Sequence, residues 1–256
     1  MKTFLAFLKK ELQESVRRKR VLILGIVFVA LGILSPLMAW VTPILFDLFS
    51  AALEESGMTI TAITVDASTS WVQFFGNIPV ALIALFFIYC GSFTKEYSSG
   101  TIILVLTKGL SRFKVVLAKC AVMMGLWTAG YWICFLITYV ANEMLWDNSV
   151  CASIASPVIN WWLFGLFVIS IVVLFSAIAR GYAGVMLGAG GVIFGFIILS
   201  IIPKVNEFLP TALMNYTNLL IGLESPADYV APVLITVALS IGCVIAAIPL
   251  FNKKQL

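Results

Sequence analysis

The chain contains no histidine. Imidazole is the usual general base and a common metal ligand. Its absence removes Ser–His and Cys–His nucleophiles and the HExxH zinc site. Charge is scarce as well: 11% of residues are charged, against about 25% in a soluble domain. The five cysteines form no CxxC pair, so neither a redox motif nor a zinc site is supported. Cys90, Cys120, Cys134 and Cys243 lie in apolar stretches, where a cysteine acts as a small buried hydrophobe; Cys151 lies outside them, alone. A GxxxxGK[ST] phosphate loop is also missing. Apolar residues, in contrast, make up 62% of the chain, and the mean hydropathy is +1.09. On a water-facing surface that composition would leave large sticky patches. An ordinary soluble enzyme, a disordered chain and a disulfide scaffold are excluded. The expectation is an all-α integral membrane protein, with residues 1–256 forming a single domain.

A membrane helix needs about 20 mostly apolar residues. Uncharged runs of that size occur near 21–41, 71–93, 120–141, 159–179, 182–202 and 229–251, predicting six spans. Only Arg180 and Gly181 separate the fourth from the fifth. As one helix the pair would cover about 65 Å, twice the roughly 30 Å hydrocarbon core, so a tight turn is expected there. Basic residues set the orientation. With the N-terminus in the cytoplasm, every Lys and Arg except Lys204 falls on inner segments. Asp47, Glu54, Glu55, Asp66, Glu143, Asp147, Glu207, Glu224 and Asp228 fall outside. Both termini are then cytoplasmic. Trp40, Trp71, Trp146, Trp161, Trp162 and Tyr229 fall near the outer edge, and Phe93, Tyr97, Tyr182 and Phe251 near the inner one, as interfacial aromatics do.

Residues 1–20 do not read as a secretory signal, because the positive region is too long and the next apolar run can span. Leu5, Leu8, Leu12 and Val16 repeat at helical spacing, with Lys9, Lys10, Glu14 and Arg17 opposite. This predicts an amphipathic helix on the inner membrane surface. It serves either as a topology anchor or as a partner contact. The Arg17–Arg20 run reads as a positive-inside clamp and not as a nucleic-acid site.

No ionisable residue is expected inside the spans, which argues against proton-coupled carriers, pumps and voltage sensors. A path lined by apolar, aromatic, Ser, Thr and Asn groups suits a hydrophobic or amphipathic cargo. Gly184/Gly188 and Gly191/Gly195 have small-xxx-small spacing, read first as packing within the chain and second as a subunit contact. Pro36, Pro232 and Pro249 fall in or beside spans, where proline can kink a helix. Two outer segments exceed a minimal turn: 47–70, with Phe49, Leu53 and Met58, and 203–228, with Pro203, Pro210 and Pro226. The second is either a surface loop or a piece dipping back into the membrane.

The inner segment 94–117 is the most distinctive. It carries Glu96, then Ser99-Gly100-Thr101, an apolar run at 102–106, Leu106-Thr107 and Ser111-Arg112, with Lys119 a little further on. Gly100 predicts a bend, and Thr101 a cap for the next turn of helix. This pattern resembles the inner-loop signature of the ABC-2 family of transporter permeases. The N-terminal amphipathic helix resembles that family's elbow helix, and 251–256 resembles its short basic tail. Six spans with an extended segment between the last two match its layout. One departure is Gly109, where many members carry Pro. The resemblance implies a type V exporter-like permease that pairs with an identical or homologous second copy. Each copy would bind a soluble nucleotide-binding ATPase subunit, which holds ATP and Mg. This chain itself would hold no cofactor, metal or catalytic residue.

The segment 94–117 would then act as a coupling helix, with Glu96, Tyr97, Ser99, Gly100, Thr101, Ile102 and Arg112 meeting the ATPase. The expected role is an exporter permease in a cell membrane, bacterial by resemblance, with an antimicrobial or toxin-like peptide as preferred cargo. The alternatives are a channel needing no ATPase and a membrane immunity or scaffold protein. A membrane-embedded enzyme is disfavoured, because neither His nor an intraspan carboxylate is available.

Overall fold

The computed structural model describes residues 2–54, 65–98, 100–102, 107 and 110–253. Ser99, Lys108, Gly109, Met58, the apolar run at 103–106 and the tail at 254–256 lie outside them. Among the described residues there is no strand, and six helices are long and apolar enough to cross a membrane.

A helix α1, Lys2–Arg17, precedes the spans. The chain turns sharply at Lys19, whose φ of 58° lies in the left-handed region. Helix α2, Arg20–Glu54, comes next. At 1.5 Å per residue it runs about 52 Å, beyond the hydrocarbon core, and only Arg20–Phe46 has spanning character. Pro36 and Pro43 lie inside it. Helix α3 is Ala67–Tyr89, started by Asp66, whose carboxylate accepts from the Thr69 amide at 3.1 Å. After a turn comes the short α4, Thr94–Ser98. The next three are α5, Arg112–Leu145, α6, Ala155–Ile178, and α7, Tyr182–Leu199. The connection between α6 and α7 occupies 179–181. The last helix, α8, is Val230–Lys253.

The core gathers around α6. Two thirds of its spanning window (67%) is buried, against 11% for α7 and α8. Helices α3, α5, α7 and α8 all pack on it. Its apolar residues point all round, as befits a helix surrounded by others. Where lipid gives helices no hydrophobic drive to associate, close packing must hold them. Three glycines serve as sockets for aromatic rings. A Cβ at Gly130 would collide with the Phe28 ring, one at Gly165 with the Trp127 indole, and one at Gly188 with the Phe175 ring. Hydrogen bonds fix the seated Trp127 ring and its neighbour Tyr131: Trp127 Nε1 donates to the Trp162 carbonyl at 3.0 Å, and Tyr131 Oη to the Val158 carbonyl at 2.8 Å. Of the two predicted small-residue pairs, Gly184 and Gly188 thus pack within the chain, whereas a Cβ at Gly191 or Gly195 would meet nothing within 4 Å among the described residues.

Segment 200–229 is a cap of single turns. Pro210–Met214 is a 3-10 turn whose Thr211, Ala212 and Leu213 are buried on α6. Trp161 Nε1 donates to the Met214 carbonyl at 3.2 Å, and Phe75 stacks on Tyr216 with centroids 4.8 Å apart. Charge is sorted by end. Lys10, Lys119 and Arg112 lie at the end that holds α1 and α4, here called the basic end. Glu143, Asp147, Glu207, Glu224 and Asp228 lie at the opposite, acidic end.

The third helix runs well past its expected span of 120–141: α5 begins at Arg112, and Lys119, two turns in, is 2% exposed. A charge-free window cannot include a lysine. The helix tolerates it because carboxylates from two other helices meet its ammonium group.

Candidate functional site

At the basic end four side chains close an alternating ring. Lys119 Nζ lies 2.8 Å from Glu11 Oε2 and 3.1 Å from Glu96 Oε2. Lys10 Nζ lies 2.9 Å from Glu11 Oε1 and 3.0 Å from Glu96 Oε1. Each carboxylate therefore bridges both ammonium groups. Lys10 also holds Glu14 at 2.9 Å, and Glu14 holds Arg18 Nε at 2.9 Å. Phe7 and Phe93 lie beneath the ammonium groups, with Lys10 5.2 Å and Lys119 5.4 Å from the ring centroids. The ring ties α1 to α4 and to α5.

The local reasons are plain. Phe7, Glu11 and Ser15 recur every four residues, so one face of α1 turns inward with Glu11 at its centre; all three are buried. Tyr89 Oη donates to Ser15 Oγ at 3.1 Å, which fixes the far end of that face to α3. Glu96 sits in α4 and is likewise buried. Taking a charge out of water costs several kcal/mol unless it is paired, and the ring supplies each member with two opposite partners. Burial opposes the charged form of Glu14, but the hydrogen bond and charge of Lys10, helped by Arg18 and Lys119, hold its carboxyl below the ordinary value. Burial also opposes the Lys10 ammonium, yet its bonds to Glu11 and Glu14 raise it above the ordinary lysine range.

Glu11, Glu14 and Glu96 bring ligand atoms within 4.8 Å of one another. Lys10 and Lys119 stand among them, so their negative charge is already balanced by cations.

The remaining predicted residues also turn inward. Tyr97 Oη donates to the Ser176 carbonyl of α6 at 3.3 Å, and its ring lies 5.9 Å from that of Phe251. Arg112 donates to the Phe251 carbonyl at 3.0 Å and to the Asn252 carbonyl at 2.8 Å. It thereby satisfies acceptors that the end of α8 leaves open. Ile102 is buried. Gly100 ends α4 with φ 67°, the left-handed geometry glycine takes past a helix end. The Thr101 hydroxyl donates back to the Glu96 carbonyl at 3.5 Å. Ser99 lies outside the described residues. On the elbow helix, Leu5, Leu12 and Val16 are exposed and Leu8 is half-buried. The apolar stripe thus faces away from the bundle, and a second, mixed face of α1 packs inward.

Sequence reasoning missed Lys10, Glu11 and Glu14 as site residues. A signal existed. Of the 12 acidic residues, all but Glu11, Glu14 and Glu96 fall on segments read as outer, and those three meet at the ring.

The short α4 is therefore joined to α1 and α5 through Glu96, and to α6 and α8 through Tyr97. A family model described as ABC-2 family transporter protein matches residues 5–256. The chain belongs to that family. It is a membrane-embedded ABC-2 transporter permease, a membrane subunit without its own catalytic site, from a family whose members work with an ATP-binding subunit. No curated protein matches it. In this ABC-2 permease, the residues that carry the family-like inner-loop pattern are not scattered: Glu96 and Lys119, near its two ends, form one ion pair.

Proposed function

We propose that this permease exports a hydrophobic or amphipathic cargo, preferably an antimicrobial or toxin-like peptide, across a bacterial cytoplasmic membrane. A separate ATPase subunit that binds ATP and Mg drives it, and a second permease copy or homologue completes it. Both termini and the basic end face the cytoplasm. The segment 94–117 is the coupling element.

The observation that carries this reading is the position of α4 as a junction. A partner that displaces α4 displaces, through Glu96 and Tyr97, the elbow helix, α5, α6 and α8 together. Coupling requires a contact that differs between two states, and a small rigid junction provides the means to spread it. Glu96, Tyr97, Ile102 and Arg112 then act as internal braces, and the exposed Lys95 and Thr101 form the surface offered to the ATPase. The basic end suits the cytoplasm by the positive-inside rule. Two grooves lined almost wholly by apolar side chains support a greasy cargo. One, about 450 Å³, lies between α3 and α7 and is lined by Phe86, Phe87, Phe164 and Phe194. The other, about 440 Å³, lies between α5, α6 and α8 near Met124 and Ile241. The open glycine face of α7 and the exposure of α8 support a second copy.

The test is purification of the tagged permease from native membranes in mild detergent, with mass spectrometry of the proteins that stay bound. A near-stoichiometric soluble ATPase that Thr101→Trp or Lys95→Glu dislodges is the expected result. Its absence under conditions that preserve other transporter complexes would overturn the ATP-driven reading in favour of a channel or immunity protein.

A further inference from the structure

Buried hydroxyls in the spans mostly satisfy themselves on their own helices. Ser35, Ser170, Thr236 and Ser240 each donate to a carbonyl three or four residues back. Two buried polar side chains toward the acidic end do not. Asn142 on α5 and Ser70 on α3 are both 0% exposed. Neither Nδ2 nor Oδ1 of Asn142 has a hydrogen-bond partner among the described residues, and neither does Ser70 Oγ. Groups left unpaired in a dry interior forfeit the hydrogen bonds they make in water.

The two side chains face one seam. Thr138 Oγ1 donates to the Gly32 carbonyl at 3.0 Å, so that side of α5 faces α2. The rings of Phe135 and Tyr139 lie 5.6 and 6.4 Å from that of Trp71, so their side faces α3. At 100° per residue, Asn142 lies about 40° from Thr138, and Phe135 and Tyr139 lie about 60° and 100° from it in the same sense. Asn142 therefore points between α2 and α3. On α3, Asn77 Nδ2 donates to Ser35 Oγ of α2 at 3.4 Å. Ser70 lies about 20° from Asn77 around that helix and turns to the same side. The Trp71 contacts place Ser70 about one turn from Asn142 along the bundle. One turn beyond Ser35 on α2, and at the start of α3, the buried residues are Ala39 and Ala67, with single-carbon side chains.

We propose that Asn142 and Ser70 hold an ordered water molecule in the seam between α2, α3 and α5. A buried water makes about three hydrogen bonds. The seam offers one donor, one acceptor and a hydroxyl that serves as either. A metal cation fits less well, because it would leave Asn142 Nδ2 without an acceptor. A lipid or peptide group is excluded by burial, since neither side chain reaches the surface. The water ties α5 to its neighbours toward the acidic end, as the ionic ring does at the basic end. Lys119 and Asn142 lie about 35 Å apart along α5, so one helix carries a buried polar junction near each end. The site does not depend on the cargo or on the ATPase.

The test uses the full chain, labelled with 15N-asparagine, in deuterated detergent micelles. It records magnetisation transfer from water to the Asn142 side-chain amide. Asn142→Leu identifies the resonance, and Asn142→Gln does so if the leucine variant does not fold. Wild type should show a cross-peak with the sign of a long-lived water. Ser70→Ala should weaken it at least about twofold by removing one of the water's three partners. Asn142→Leu should lower the melting temperature by a few degrees, because it expels the water and strands Ser70 Oγ. Absence of the cross-peak, or an intensity that Ser70→Ala leaves unchanged, would overturn the proposal. So would an unchanged or higher melting temperature of Asn142→Leu, the result for an amide buried dry.

Discussion

Lys119 Nζ lies 3.1 Å from Glu96 Oε2 with 2% of the lysine side chain exposed. A buried ammonium in a membrane helix is thus balanced by a carboxylate from the short helix α4, and by Glu11 from α1. This arrangement makes the ring a matched set. Lys119→Met should leave two buried carboxylates sharing Lys10 alone and cost about 3–5 kcal/mol. The triple variant Lys119→Met, Glu11→Gln, Glu96→Gln should recover much of that loss. Thermal unfolding in detergent, monitored by tryptophan fluorescence, measures both; equal melting of Lys119→Met and wild type would disprove the pairing.

The pH response comes from Glu14 and Lys10. A carboxyl depressed in the folded state adds stability that is full above its ordinary 4.5 and lost as pH falls through the lower folded value. An ammonium raised in the folded state adds stability that is full below its ordinary 10.5 and lost as pH rises through the higher folded value. Attachment of α1 should therefore be flat between about 4.5 and 10.5 and weaken on either side. Hydrogen exchange of α1 amides across that range tests it. A transition near neutral pH would contradict this.

The aromatic sockets make a local prediction. Gly165→Ala should displace the Trp127 indole and cost about 1–3 kcal/mol through overpacking. Gly125→Ala, in the same bundle but facing open space, should be neutral or stabilising by up to about 1 kcal/mol. The contrast between the two melting shifts is the measurement.

At the turn between α1 and α2, Lys19→Gly should raise stability by about 1 kcal/mol by removing the left-handed strain. A lower melting temperature would mean that the lysine side chain supports the turn itself.

The six spans were legible because each is a run of apolar residues as long as the bilayer core is thick. Residues such as Lys119 and Arg112 were not legible as helix residues. Hydropathy windows stop at charges, whereas a helix continues through a charge that finds a partner. The inner-loop pattern pointed to Glu96, Tyr97, Ile102 and Arg112, but not to the direction their side chains take. That direction is set by Lys10, Ser176 and Phe251, which are distant in sequence and brought near only by packing. Periodicity of α1 revealed the exposed stripe of Leu5, Leu12 and Val16. It hid the inward face of Phe7, Glu11 and Ser15, because that face is mixed in polarity and has no hydrophobic period.

The central claim is that α1 and α4 move as one body because the ring of Glu11, Lys10, Glu96 and Lys119 joins them. Electron–electron spin distances between labels at the exposed positions Leu12 and Lys95, in the purified permease without its ATPase, test this most directly. The predicted result is one narrow distance that broadens in Lys119→Met. A broad wild-type distance, or one that Lys119→Met leaves narrow, would contradict it.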